Sequence, residues 1–230
     1  TKIFNLDKLG YASDLSGIDQ TLSLNCDLKE RYEFFKVDIS NEADIKTSIR
    51  NIDPDLIFHL AAESHVDNSI CSPREFIQSN IIGTFNLVEA AFDHYLKLKK
   101  KRKKNFFFQH ISTDEVYGTL NSDGYFNENS AYRPNSPYSA SKASSDHIVR
   151  CWNKTYGLPI KITNCSNNFG PWQHKEKLIP KTIINCLQNK LIPVYGNGQN
   201  IRDWLYIDDH IDALLAVAEK GEIGSTYCIG

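Results

Sequence analysis

Short apolar runs rich in β-branched and aromatic residues alternate along this chain with segments of helical periodicity, and that alternation leaves few folds open. The runs are Ile3 to Leu6, Phe34 to Val37, Leu56 to Ala61, Phe106 to Ile111, Ile160 to Asn164, Ile192 to Tyr195 and Tyr227 to Ile229. Helices are expected over Asn41 to Ile52, Pro73 to Lys99 with a break near Ser79, Ser136 to Tyr156, Leu178 to Asn189 and Asp208 to Lys220. Strands apolar on both faces and separated by helices belong in a parallel sheet covered on both sides, a doubly wound α/β fold. There is no internal repeat and no Gly/Ser-rich or Pro-rich linker.

Composition agrees with a globular core: 230 residues, 41% hydrophobic and 23% charged, with a formal net charge of -2. Disorder and a mini-protein scaffold are excluded. No apolar run reaches the roughly 18 residues of a membrane helix, and the first residues lack signal-peptide character, so a cytoplasmic protein without membrane partners is expected. The six cysteines lie singly, with no Cys-x-x-Cys pair and no histidine at ligand spacing, which points to free thiols and no metal site. Met is absent even at position 1, so the ends need not be natural ends. Lys97 to Lys104 holds seven basic residues in eight positions. It reads as the solvated close of a helix, where cations complement the helix dipole, and not as a nucleic-acid footprint, because the rest of the chain is slightly acidic.

Three places carry candidate chemistry. Asp7 and Asp38 each close a strand, at the carboxyl edge where open α/β sheets bind ligands. A carboxylate there can accept ribose hydroxyls, although each is also an ordinary turn or cap residue. His59-Leu60-Ala61-Ala62-Glu63-Ser64-His65 leaves its strand through two small residues that let a ligand approach the backbone; His59 and His65 singly read as structural histidines. Tyr138-Ser139-Ala140-Ser141-Lys142 places Tyr138 and Lys142 one helical turn apart on one face. An ammonium beside a phenol favours the phenolate, so Lys142 is expected to lower the pKa of Tyr138 and prepare it to take a proton from an alcohol. Ser112 and Thr113 end a strand upstream, followed directly by Asp114 and Glu115.

Six segments in order carry a family resemblance: His59 to Asp67 (HLAAESHVD), His110 to Gly118 (HISTDEVYG), Pro137 to His147 (PYSASKASSDH), Asn164 to Pro171 (NCSNNFGP), Glu176 to Pro180 (EKLIP) and Ile201 to Asp209 (IRDWLYIDD). The chain closely resembles the dTDP-glucose 4,6-dehydratases, extended short-chain dehydrogenases/reductases. The resemblance implies a Rossmann-like NAD-binding domain over 1–165 lacking its N-terminal βα unit, whose Gly-rich loop would precede residue 1. It implies a partial substrate-binding region over 166–230, interleaved with the last Rossmann elements. By the same resemblance Tyr138, helped by Lys142 and Thr113, removes the proton of the glucose 4-hydroxyl while NAD accepts hydride. Glu115 takes the proton on carbon 5, Asp114 protonates the departing 6-hydroxyl, and hydride returns to carbon 6. Two adjacent acids with opposite tasks need environments that separate their pKa values.

The resemblance further implies an NAD site of Asp7, Lys8, Asp38, Ile39, Leu60, Ala61, Ala62, Ser79, Tyr138, Lys142 and Asn168. The nucleotide sugar would be held by Ser64, Thr113, Asn167, Lys177, Leu178 and Arg202, the guanidinium of Arg202 suiting a pyrophosphate unless it pairs with Asp203. Relatives commonly form homodimers through two long helices, here Pro73 to Lys99 and Ser136 to Tyr156. A UDP-glucose 4,6-dehydratase, a UDP-glucose 4-epimerase and a catalytically silent NAD- or nucleotide-sugar-binding fragment stay open as alternatives. Epimerisation needs no acid pair for elimination.

Overall fold

The computed structural model of the chain describes residues 1–120, 124–194 and 196–230. Strand β1 (Ile3–Asp7) leads through α1 (Ser16–Leu24) and α2 (Cys26–Lys29) to its parallel neighbour β2 (Tyr32–Lys36). Then follow α3 (Glu42–Ile52), β3 (Ile57–His59), α4 (Val66–Cys71), α5 (Pro73–Phe76), a π-helical segment (Ile77–Ile82), α6 (Gly83–Lys97) and α7 (Lys100–Asn105). Strand β4 (Phe108–Thr113) runs into a 3₁₀ turn (Asp114–Tyr117), and α8 (Pro137–Tyr156) leads to β5 (Ile160–Cys165). The chain closes with β6 (Asn167–Phe169), α9 (Leu178–Leu187), β7 (Trp204–Tyr206), α10 (Ile207–Lys220) and β8 (Thr226–Ile229).

Every strand pairing is parallel, as the doubly wound reading requires. The strands nevertheless form separate ladders, β1-β2, β3-β4-β5-β8 and the small pair β6-β7, with no ladder between β1 and β3. The β4 and β5 side chains alternate between two helical layers. Phe108, Ile160 and Ile162 enter a core with Ile45, Leu87, Val88 and Val149 of α3, α6 and α8. On the opposite face Gln109 donates to the Leu214 carbonyl, while the Lys161 ammonium reaches the Val217 and Ala218 carbonyls at 2.9 and 2.6 Å. Lys161 thus sits inside a central strand because it satisfies the last carbonyls of α10.

The expected helices are present with shifts at their ends, and the break near Ser79 is the π segment. Its wider turn buries the neighbours Ser79 and Asn80 together. Two expectations are corrected. No strand forms over Ile192 to Val194, where the chain is partly exposed and finds no ladder partner, and Tyr195 lies outside the described residues. The basic run also does not simply close α6: the chain turns extended at Leu98 and Lys100–Asn105 forms a helix of its own. It is anchored by Arg102, bonded to Asp53 and Asp55 at 2.6 Å each, and by Lys103 over the Tyr95 ring. Strands β6 and β7, too short to carry periodicity, and the early helices α1 and α2 were not anticipated.

Helix α8 starts at a capping box. The Ser136 hydroxyl accepts the Ser139 amide at 3.0 Å, and the Ser139 hydroxyl accepts the Ser136 amide at 3.0 Å. Pro137 at the first position has no amide hydrogen to satisfy. Replacing Ser136 by Ala is expected to lower stability by about 1 kcal/mol, read as a lower urea midpoint with an unchanged m-value.

Candidate active site

The carboxyl ends of β1, β2 and β3 converge on a cavity of about 220 Å³ lined by Asp7, Lys8, Asp38, Ile39, Ala61, Ala62, Ser64 and Ser79, among others. One oxygen of Asp7 accepts the Leu9 amide at 2.6 Å and the Ser13 hydroxyl at 3.0 Å, while one oxygen of Asp38 accepts the Ser40 amide at 2.8 Å. In both carboxylates only one oxygen is so engaged, and the other can accept from a ligand. Lys8 crosses the gap between the ladders to pair with Glu63 at 2.6 Å. Burial acts to lower the pKa of Lys8, but the bond to Glu63 and the surrounding carboxylates outweigh it and raise the value. Leu60 does not line this cavity; its side chain is exposed.

The wall formed by the loop after β3 is fixed from behind by Asn80, which was not anticipated. Its side chain bonds both the amide and the carbonyl of Glu63, at 2.8 and 2.9 Å, and donates to the Ser141 hydroxyl at 2.8 Å. Asn80 thereby ties the cavity loop to the turn of α8 that carries Lys142. His65 caps α4 through Nδ1, and His59 contacts the Thr84 hydroxyl at 2.8 Å, so both histidines have structural tasks.

At the end of β4, Thr113, Asp114 and Glu115 turn toward Tyr138. Thr113 and Tyr138 are buried, and the acids are half-buried. Gly118 ends the turn with φ 92°, and a side chain there would strike the Arg133 carbonyl, so only glycine fits. Burial raises the pKa of both acids, but their neighbours differ. Asp114 lies near Asp203, which discourages its charge, whereas Glu115 lies near Arg202 and Lys177, which favour its charge despite Asp114. Both carboxyls are thus held above the ordinary acid range, Asp114 with Asp203 as its charged neighbour and Glu115 with Asp114 on one side and two cations within reach on the other.

The expected lowering of the Tyr138 pKa is not found. Burial raises it well above the usual phenol value and the Glu115 charge adds to the effect, while the Thr113 hydroxyl opposes it. The Lys142 ammonium is turned to the Ile111 carbonyl at 2.8 Å and does not bond the phenol. Tyr138 is thus a neutral phenol in this arrangement.

Lys177 joins the two halves of the site: its ammonium donates to the Ser64 carbonyl at 2.9 Å, on the cavity rim, and sits in the field of Glu115. Asn168 reaches the Cys165 sulfur at 3.3 Å, beside Tyr138, and Asn167 opens β6 next to it. Leu178 is exposed at the start of α9. Arg202 is exposed and bonds the Ile201 carbonyl at 2.8 Å; an ion pair with Asp203 is not formed. Among the described residues there is no cluster able to hold a metal ion, and no helix is long and apolar enough to cross a membrane.

The family model described as GDP-mannose 4,6 dehydratase matches residues 1–230. A dTDP-glucose 4,6-dehydratase of Neisseria meningitidis is 51% identical over 229 residues, covering 99% of this chain and 63% of that protein. One from Escherichia coli is 51% identical over 237 residues, with 99% and 64% covered. The chain therefore spans less than two thirds of these relatives. A crystal structure of a Streptomyces venezuelae dTDP-glucose 4,6-dehydratase with NAD bound superposes with TM-score 0.89 at 38% identity, over 100% of this chain and 66% of that one. A UDP-glucuronic acid 4-epimerase from Bacillus cereus superposes with TM-score 0.85 at 30% identity, over 100% and 69%.

The buried histidines give the folded chain a defined acid sensitivity. Burial, with positive neighbours, holds His59 well below the ordinary value of 6.5 and pushes His110 down to about 4. Unfolding restores the ordinary value, so below it the unfolded chain binds protons that the folded chain does not. Stability from these groups is complete above about pH 6.5 and lost as pH falls toward 4. The urea midpoint is expected to be flat near neutrality and to fall across that window; a midpoint flat throughout contradicts the assignment.

Proposed function

The chain belongs to the GDP-mannose 4,6 dehydratase family, and from that premise we propose that the protein dehydrates a nucleotide-activated glucose, dTDP-glucose, to the 4-keto-6-deoxy sugar with NAD as cofactor. The observation that carries this reading is the half-buried acid pair after Thr113, beside the phenol of Tyr138, with two cations, Arg202 and Lys177, in reach of Glu115 but not among the charges acting on Asp114. Elimination of water needs, besides the tyrosine that serves the 4-hydroxyl, an acceptor for the carbon 5 proton and a donor for the 6-hydroxyl, whereas epimerisation needs no such further pair.

The cavity suits NAD by its donor set. Asp7 and Asp38 each keep an oxygen for hydroxyl or amino hydrogens, and the small side chains of Ala61 and Ala62 let a ligand lie against the backbone. Ser79 adds a hydroxyl from the π segment. NAD, when bound, supplies the acceptor and then the donor of hydride. Tyr138 Oη, once it has lost its own proton, takes the proton of the sugar 4-hydroxyl, with Thr113 Oγ1 supporting the phenolate and Lys142 supplying positive charge from the next helical turn. The carbonyl formed at carbon 4 acidifies carbon 5. Glu115, favoured as the anion by Arg202 and Lys177, accepts that proton. Asp114, favoured as the acid by burial and Asp203, gives its proton to the departing 6-hydroxyl. Arg202 and Lys177 also present cations to the substrate's pyrophosphate.

We assign the assembly as a homodimer through α6 and α8. Phe85, Phe92, Trp152 and Tyr156 form an aromatic surface across these helices, with Phe85 and Trp152 edge-on at 5.5 Å, and Phe85 and Tyr156 are exposed. The six cysteines are free thiols, which supports a reducing, cytoplasmic setting.

Incubation with dTDP-glucose and NAD is expected to give the 4-keto-6-deoxy product, and Tyr138→Phe to lower kcat by about 10²–10⁴-fold. Glu115→Gln is expected to allow oxidation at carbon 4 while retaining the 6-hydroxyl. A galactose epimer as product would overturn dehydration, and turnover of UDP-glucose in preference to dTDP-glucose would reassign the nucleotide. Light scattering is expected to find a dimer that Phe85→Asp converts to monomer; a monomeric parent chain would reject the interface.

A further inference from the structure

Helix α8 buries more charge than the proposed chemistry uses. Tyr138, Lys142 and Asp146 follow one another at single-turn spacing on its inner face, and Asp146 is fully buried. Its carboxylate is bonded from every side. His110 of β4 lies at 3.1 Å from Oδ1; the Tyr132 hydroxyl donates to Oδ2 at 2.7 Å and the Asn164 amide of β5 at 3.2 Å. Tyr132 is itself held by the Arg150 guanidinium at 2.6 Å. The same Asn164 amide donates to the Thr113 carbonyl at 3.1 Å, so one side chain connects Asp146 to the strand end that carries the acid pair.

Lys142 is the other side of this arrangement. It is buried, its hydrogen-bond partner is the neutral Ile111 carbonyl, and an ammonium so placed needs an anion nearby. Burial lowers the pKa of Lys142; Asp146, one turn along the helix, is the carboxylate that most opposes this, with Cys165 adding a smaller effect, and the nearby His59 and His110 are held neutral. We propose that Asp146 is a positioning residue of the active site: its buried carboxylate is the counter-ion that keeps Lys142 charged, while through Asn164 it fixes the end of β4 at Thr113. The proposal rests on the dehydratase reading only for its kinetic consequence. The charge relation between Asp146 and Lys142 is a property of the folded chain.

The groups facing each partner define what a pH experiment reports. Around Asp146 stand His110, Asn164, Lys142 and Tyr132, the last bonded in turn by Arg150; around Tyr138 stand Thr113, Asp114, Glu115 and Cys165. Removing the Asp146 charge takes away the larger of the two effects that oppose burial at Lys142, so Lys142 loses its proton at lower pH. In the proposed reaction a neutral Lys142 no longer offers positive charge one turn from Tyr138, so activity is expected to fall on the alkaline side.

The test uses the full chain labelled with ¹³C at the lysine ε-carbons, the Lys142 resonance being assigned by its loss in Lys142→Arg. In Asp146→Asn the Lys142 titration midpoint is expected about one pH unit lower, a roughly tenfold change in its protonation equilibrium. Asp146→Glu is expected to restore it. On the NAD-loaded enzyme the descending alkaline limb of kcat should move down by the same amount in Asp146→Asn, with KM nearly unchanged. A folded Asp146→Asn chain with an unmoved Lys142 midpoint would overturn the proposal. If Asp146→Asn does not fold, the Asp146 carboxyl ¹³C resonance of the parent chain decides: an ionised carboxylate at neutral pH supports the proposal, and a protonated one rejects it. Failure of the parent chain to turn over dTDP-glucose would reject the dehydratase reading and leave the Lys142 result standing.

Discussion

The fold turns on how α8 approaches the sheet. A helix that buries a phenol, an ammonium and a carboxylate must satisfy them without water, and α8 does so because its intervening buried positions are small. Ser141 and Ser145 return their hydroxyls to the carbonyls of Tyr138 and Ser141 at 2.7 Å each, and Ser145 also reaches the Asn80 carbonyl. Serines bonded back to their own helix remove their own desolvation cost and leave little bulk. The helix can then lie close enough to β4 for Lys142 to reach the Ile111 carbonyl and for Asp146 to reach His110. A larger residue at either serine would separate the charged groups from the partners that make their burial tolerable.

A second constraint is the division between β1 and β3. Parallel strands must come within about 4.8 Å to share a ladder, and these two do not pair. Their carboxyl ends are joined instead by the Lys8–Glu63 ion pair and by loops that line the cavity. With Lys8 about a third exposed, this pair adds little to stability. Its importance is geometric, since it sets the spacing of the two walls, and Asn80 holds the Glu63 side of it by two bonds and ties it to Ser141 by a third.

Much of this was legible in the sequence because periodicity reports burial. The β4 and β5 runs and the long patterns of α6 and α8 are strong signals, and Ser136 with Pro137 marks the start of α8 directly. The strand assigned to Ile192 to Tyr195 failed because a short apolar run does not reveal whether a partner strand is present. Asp7, Asp38 and the small residues after β3 were legible as a strand-edge cavity. Lys8–Glu63 and Asn80 were not, because each depends on elements distant in sequence meeting in space. Asp146 could have been found: it continues the spacing of Tyr138 and Lys142 by one more turn, and a carboxylate on a buried helix face implies partners.

The Tyr138 pKa marks where reasoning from spacing reaches its limit. One-turn spacing puts Lys142 on the same face as Tyr138, yet the direction of the shift is set by what each group touches. Burial penalises the phenolate, Glu115 adds negative charge, and the ammonium spends its hydrogen bond on a carbonyl. A proton acceptor built this way is held neutral until positive charge or hydrogen-bond donors gather at its oxygen. The Thr113 hydroxyl already acts in that sense, and Lys142 can do so only while it stays charged in a buried site. On the proposed reading, the positive charge that can reach Tyr138 is therefore set two turns along α8, at the carboxylate that helps Lys142 keep its proton.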